Sequence, residues 1–212
     1  VKLTIVTETF PPEVNGVAMT FGHIARELGR RGHQVTVYRP QRDDLTPNEP
    51  DRGFAEIALP GLPIPGYPLL RLGLPAGGHF RRRWRADRPD LVQFVNEGPL
   101  GSSAVSAARA LGVPVTSSFH TNFDQYTRDY RIGWLKPVVS AWLRRVHNRT
   151  LRTFVPTRDL MARLESEGYQ NVRLLSRGVY TELFSPTRRD EALRASWGIE
   201  PDGLAVIHVG RM

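Results

Sequence analysis

Three short polar segments carry the residue types that could do chemistry, and each comes after an apolar run of the buried-strand kind. The first, Thr7-Glu8-Thr9-Phe10-Pro11-Pro12-Glu13-Val14-Asn15-Gly16, leads directly into an amphipathic stretch. A proline-rich loop ending in Asn-Gly at a helix start can present backbone N–H groups to a phosphate, with the helix dipole favouring the negative charge. It can equally be a plain connection with Asn15 as the N-cap. The second segment, Asn96-Glu97-Gly98-Pro99-Leu100-Gly101, is a polar pair leading through a turn into a helix. The third, His120-Thr121-Asn122-Phe123-Asp124-Gln125-Tyr126, sets an imidazole at the end of a buried strand, better placed for ligand contact than for packing. Any one of these has a structural alternative; three at one edge of a sheet argue for a site.

Other chemistries lack their residues. There is no G-x-G-x-x-G fingerprint, no P-loop and no G-x-S-x-G elbow. The six histidines (His23, His33, His79, His120, His147, His208) show no H-x-H or H-E-x-x-H spacing, so a catalytic metal has no support. Cysteine is absent, which removes thiol nucleophiles, thiolate metal sites and disulfides.

The elements that must position these segments alternate in kind. Leu3–Val6 and Val35–Tyr38 are short apolar runs, and between them Val17, Phe21, Ile24, Ala25 and Leu28 recur at helical spacing before Gly32. A short strand is expected at Ala55–Leu59, and further strands at Leu91–Val95 and Val113–Ser118 with a small-residue helix, Ser102–Leu111, between them. Leu135, Val138, Val139, Trp142, Leu143 and Val146 trace an amphipathic helix, with Trp142 on its core stripe. Thr153–Val155, the helix Arg158–Glu167 and the strand Val172–Leu175 complete the series. Continuous apolar strands alternating with helices predict an α/β fold, a doubly wound parallel sheet of six or seven strands covered on both faces. Ligands then bind at the carboxyl edge, with His120 and Gly16 on the same side. Arg188–Trp197 reads as a helix and Leu204–Val209 as one more buried strand. That strand has nothing after it to cover its faces, so the expected organisation is one domain over 1–200 and, at 201–212, the first strand of a truncated second domain.

The chain has 212 residues and a net charge of +8, with arginine far in excess of lysine. Its 40% hydrophobic and 24% charged content is that of an ordinary globular protein. No run approaches the roughly 18 apolar residues needed to cross a bilayer, and the first residues lack a secretory signal pattern, so a cytoplasmic location is expected. Arginines cluster at 71–88 and 128–163, which points to an anionic partner or to a solvated face. A nucleic-acid module would use these clusters with Trp84, Trp134 and Trp142 for stacking. A membrane surface would use Arg81, Arg82, Arg83 and Arg85 beside Leu72, Leu74, Phe80 and Trp84, unless Phe80 and Trp84, four apart, pack a helix on the sheet.

Four segments together resemble the retaining GT-B glycosyltransferases of family 4: Glu8–Val17, Ser118–Tyr126, Arg177-Gly-Val-Tyr-Thr-Glu-Leu-Phe-Ser-Pro186 and His208-Val-Gly-Arg211. They are similar to bacterial lipid-directed mannosyltransferases and sulfoquinovosyltransferases. The resemblance implies a Rossmann-like, acceptor-side N-terminal half of a GT-B fold. Its implied reaction moves a hexose, mannose first among the candidates, from GDP-mannose or a UDP-sugar to a lipid or glycan acceptor. No metal, other cofactor or nucleic acid is implied, and the chain alone is expected to be inactive. Matched positions imply His120 as the catalytic group contacting the transferred sugar, and Gly16 and Arg211 as donor-diphosphate ligands. Glu13, Asn15, Asn96, Thr121 and Tyr126 fall in loops that shape the acceptor pocket. Lipid-directed relatives also imply peripheral attachment to the inner face of the plasma membrane. One departure stands out: Tyr180 occupies the position where such sequences carry Asp after R-G-V. The R-G-V and F-H-T segments argue against a sugar-nucleotide epimerase, which shares the architecture.

Overall fold

Strands with no polar alternation need cover on both faces, and the chain supplies it by placing helices between its strands. The computed structural model describes residues 1–42, 53–64, 67–120 and 136–208, with the side chains of 67–70 and 136 left aside. In chain order the first elements are β1 (Lys2–Val6), α1 (Gly16–Arg30), β2 (Gln34–Pro40), β3 (Ala55–Leu59), β4 (Gly61–Ile64), β5 (Tyr67–Gly73) and α2 (Gly77–Ala86). Next come β6 (Leu91–Phe94), α3 (Pro99–Ala110), β7 (Val115–Ser118), α4 (Lys136–His147), β8 (Arg152–Val155), α5 (Arg158–Ser166) and β9 (Val172–Leu174). Seven strands form one sheet in the order β3-β2-β1-β6-β7-β8-β9, every pair parallel.

The chain steps outward from β1 to β3, then returns to lay β6 on the other side of β1. Direction therefore reverses between β1 and β6, which end level, Val6 opposite Phe94. A crevice at the carboxyl edge is the geometric consequence. Alternate residues of the same strands feed two cores. Val6, Tyr38, Val92 and Phe94 join Phe80 and Trp84 of α2 and Leu100, Ala104 and Ala108 of α3. Ile5, Val35 and Val37 join Phe21 and Ala25 of α1 on the other face. Phe119, Leu143, Val155, Leu164 and Val172 close the β8–β9 end beneath α4 and α5.

Several expectations change. Phe80 and Trp84 are buried and stacked at 4.7 Å, so α2 packs through them and presents Arg81, Arg82, Arg83 and Arg85 to solvent. Trp142 is 40% exposed instead of buried. The inner face of α4 is Leu143, Val146 and His147, and Trp142 lies one residue back, about 100° around the axis. β4 and β5 form an antiparallel hairpin apart from the main sheet, which the sequence pattern does not predict. Gly73 must be glycine there, because a Cβ would press on Leu100 and the Glu8 carboxylate.

The chain divides into two compact units, Val1–Arg177 and Gly178–Met212. In the second, the Tyr180 carbonyl accepts the Leu183 and Phe184 N–H groups, and Asp190 caps a short helix, α6 (Glu191–Ser196). The strand expected at Leu204–Val209 is not formed over 204–208: Leu204, Val206 and Ile207 are exposed, with no neighbouring strand to pair with among the described residues. Val209 lies outside them.

Candidate active site at the carboxyl edge of the sheet

The loop after β1 is fixed by its own polar groups. Asn96, just past β6, accepts the Glu8 N–H at 3.0 Å through Oδ1, which also lies 2.8 Å from the Thr7 hydroxyl. The two strands flanking the crevice are thus tied together at their ends. Glu13 is buried; its Oε1 lies 3.1 Å from Arg42 and its Oε2 accepts the Thr9 hydroxyl. Asn15 donates Nδ2 to Thr9 Oγ1 at 2.6 Å, while its Oδ1 accepts the Val17 and Ala18 N–H groups at 3.1 and 2.8 Å. That is the N-cap, and it leaves exposed Gly16 as the first residue of α1.

Glu8 is a second anchor. Its carboxylate accepts the Gly73 N–H from β5 and faces the backbone of Leu100 and Gly101 at the start of α3. Burial pushes its pKa up to about 7, against the opposing pull of those N–H groups.

His120 stands two residues past β7, beside Phe21 of α1, with ring centroids 5.8 Å apart and edge to face. Both its ring nitrogens are buried and have no hydrogen-bond partner among the described residues. Burial holds its pKa below the ordinary imidazole value; Glu97 opposes that shift and Arg177 adds to it. The neutral ring can accept a proton or hydrogen bond at one nitrogen and donate at the other. Beneath it, Glu97 Oε1 lies 3.3 Å from His147 Nε2, and His147 Nδ1 lies 2.9 Å from the Ser117 hydroxyl, all in the protein interior.

Arg177 comes three residues after β9, and its guanidinium lies against Gly16, where a Cβ would overlap it. The structure therefore gathers Gly16, Asn15, Glu13, Asn96 and His120 at one edge. Thr121, Tyr126 and Arg211 lie outside the described residues. Sequence reasoning places Glu8 and Glu97 in its polar segments and Arg177 in one of the family-like segments but gives none of them a role, and it misses His147 as a member of this edge. Glu97 sits in the polar loop after β6 and Arg177 opens the R-G-V motif, but nothing local marks either as meeting His120.

Residues 14–183 match Glycosyltransferase Family 4. The whole chain is 34% identical to a GDP-mannose-dependent alpha-mannosyltransferase of Mycobacterium tuberculosis, over 100% of this chain and 56% of that protein. Sucrose-phosphate synthase from Thermosynechococcus elongatus shares the fold with a TM-score of 0.59 at 12% identity, over 94% of this chain and 53% of that one. The UDP-GlcNAc 2-epimerase of Methanocaldococcus jannaschii gives a TM-score of 0.52 at 15% identity, over 84% and 46%. The architecture is thus common to a synthase and an epimerase, and it is the sequence match that separates them. The chain spans about half the length of the curated relatives it matches.

Proposed function

The chain belongs to glycosyltransferase family 4, and from that premise we propose that it is the acceptor-side half of a retaining hexosyltransferase. In this reading residues 201–212 open a donor-binding second domain. The donor is a nucleotide sugar, GDP-mannose ahead of a UDP-sugar because the 34%-identical relative is named as GDP-mannose-dependent. The acceptor is a lipid or glycan.

One observation carries the reading: a neutral histidine with both ring nitrogens unpartnered, at the crevice edge shared with the open helix start at Gly16. Glycosyl transfer breaks the bond from the anomeric carbon to the diphosphate oxygen, which keeps the electron pair. Positive charge builds on the sugar and negative charge on the departing diphosphate. Backbone N–H groups at the start of α1 and nearby cations can meet that negative charge without a metal. The acceptor hydroxyl bonds the anomeric carbon from the same face and passes its proton to the departing oxygen. His120 hydrogen-bonds a sugar hydroxyl and holds the ring in register for that attack. Glu13, Asn15 and Asn96 shape the acceptor side by fixing the loop, with Thr121 and Tyr126 contributing contacts.

The enzyme works as a peripheral protein at the inner face of the plasma membrane. Arg81, Arg82, Arg83 and Arg85 on α2 and exposed Leu62, Leu72 and Leu74 support this. Each basic residue near an anionic surface contributes about 1 kcal/mol. Among the described residues no helix is long and apolar enough to cross a membrane.

The test is a donor screen with the full-length enzyme and acceptor lipid in neutral or anionic vesicles. The expected outcome is transfer with retained anomeric configuration, faster on anionic vesicles, with that preference lost when Arg81, Arg82, Arg83 and Arg85 are changed together to Ser. Interconversion of UDP-sugars without transfer would establish the epimerase reading instead, and equal rates on both vesicles would remove the membrane surface.

A further inference from the structure

We propose that Arg177 is a ligand of the donor's diphosphate, acting from this half of the molecule together with the Gly16 N–H. The proposal rests on the transferase reading above and adds a residue to its leaving-group site.

Arg177 comes after β9 at the far end of the sheet from β1 and β2, yet its guanidinium lies across the α carbon of Gly16. That places a full positive charge at the amino end of α1, which already carries the positive end of a helix dipole. Isolated cations are disfavoured there. The Asn15 cap takes the N–H groups of Val17 and Ala18, while the Gly16 N–H has no acceptor among the described residues.

The nearby carboxylates are already engaged: Glu13 faces Arg42, and Glu97 faces His147. Arg39, also on this side of the sheet, is paired with Glu56. Among the described residues Arg177 has no acidic partner and no hydrogen bond. The corner therefore holds an unneutralised guanidinium, an open N–H and the two unpartnered nitrogens of His120. The field of Arg177 reaches that imidazole, where it favours the neutral ring.

What satisfies all three is a multivalent oxyanion with hydroxyl groups beside it. A guanidinium grips two phosphate oxygens at once through its planar fork, which a lysine ammonium cannot reproduce. A diphosphate bridging Arg177 and the Gly16 N–H would leave its attached sugar near His120. Only glycine at position 16 lets the guanidinium come this close, since any side chain would displace it.

The test measures binding of inorganic pyrophosphate and of GDP to the chain by calorimetry, with the Gly16 amide monitored by NMR. Wild type is expected to bind both and to shift that amide. Arg177→Ala should weaken pyrophosphate binding by about tenfold or more, and Arg177→Lys should recover only part of the loss. In the full-length enzyme, Arg177→Ala should raise donor KM and lower kcat while acceptor KM stays put. Wild-type binding of GDP without pyrophosphate would place the contact on the nucleoside and overturn the proposal. Equal pyrophosphate affinity in wild type and Arg177→Ala would overturn it too, leaving the transferase reading intact. Absence of both binding and transfer would overturn both.

Discussion

The loop after β1 and the corner around His120 share one sheet edge but handle polar groups in opposite ways. In the loop, Thr9, Glu13, Asn15 and Arg42 satisfy one another. Glu8 and Asn96 bond to backbone N–H groups of neighbouring segments. In the corner, His120 has two unpartnered ring nitrogens and Arg177 has no acidic partner among the described residues. The first arrangement builds a rigid scaffold and the second leaves valences for a ligand. Types and spacing in the sequence look alike in both; only the partners differ.

The comparison breaks most visibly in stability. Glu13→Ala should destabilise the fold by about 3–5 kcal/mol, because it removes a buried carboxylate that faces Arg42 and accepts the Thr9 hydroxyl. His120→Ala removes no hydrogen bond among the described residues, so its melting temperature should stay close to wild type. In the full-length enzyme the same His120→Ala change should lower kcat by about 100-fold, the cost of a misplaced sugar ring. Thermal melts paired with steady-state rates decide it. A large loss of stability in His120→Ala would make the imidazole part of the scaffold.

Glu8 offers a pH-dependent version of the scaffold side. Its folded pKa of about 7 lies above the ordinary value of 4.5, so the folded state binds more protons than the unfolded state between those limits. The stability associated with protonated Glu8 is complete below 4.5 and lost as pH rises through 7. The full span is worth roughly 3 kcal/mol. Denaturation of Glu8→Gln should show a flatter pH dependence over that window and greater stability than wild type at about pH 8. A dependence identical to wild type would assign the effect to another group.

The legibility of the molecule tracks the range of its interactions. All seven sheet strands are visible in the sequence as short runs, most clearly the inner ones, because a parallel strand buried on both faces is a local apolar run. The edge strands β3 and β9 are only partly buried. The hairpin β4–β5 is not: Pro60, Pro63, Pro65 and Pro68 break any alternation, and Gly73 is held by Glu8 from across the sheet. The position of Trp142 is not legible either, because a helical stripe defines a face only to within one residue. The polar segments at the carboxyl ends of β1, β6 and β7 point directly to Gly16, Asn96 and His120. Glu97 with His147, and Arg177 with Gly16, meet only after the sheet is assembled, so no local spacing marks them.

The smallest effect sharpens the contrast most, because its two arms have opposite signs. His120 titrates below the ordinary imidazole value of 6.5, chiefly from burial, with Glu97 pulling up and Arg177 pushing down. Arg177→Ala should therefore raise its pKa towards 6.5 and Glu97→Gln should lower it further, each by less than burial contributes. The unfolded state binds more protons than the folded one between the lowered value and 6.5, so this group's unfavourable contribution appears as pH falls through that window and is absent above it. Arg177→Ala should narrow the window and Glu97→Gln should widen it. NMR titration of the His120 ring protons in the three proteins reads the shifts directly. If both substitutions move the pKa the same way, the change is in burial. Opposite movement means that two charges of opposite sign bracket the imidazole, the arrangement a ligand-facing neutral histidine needs.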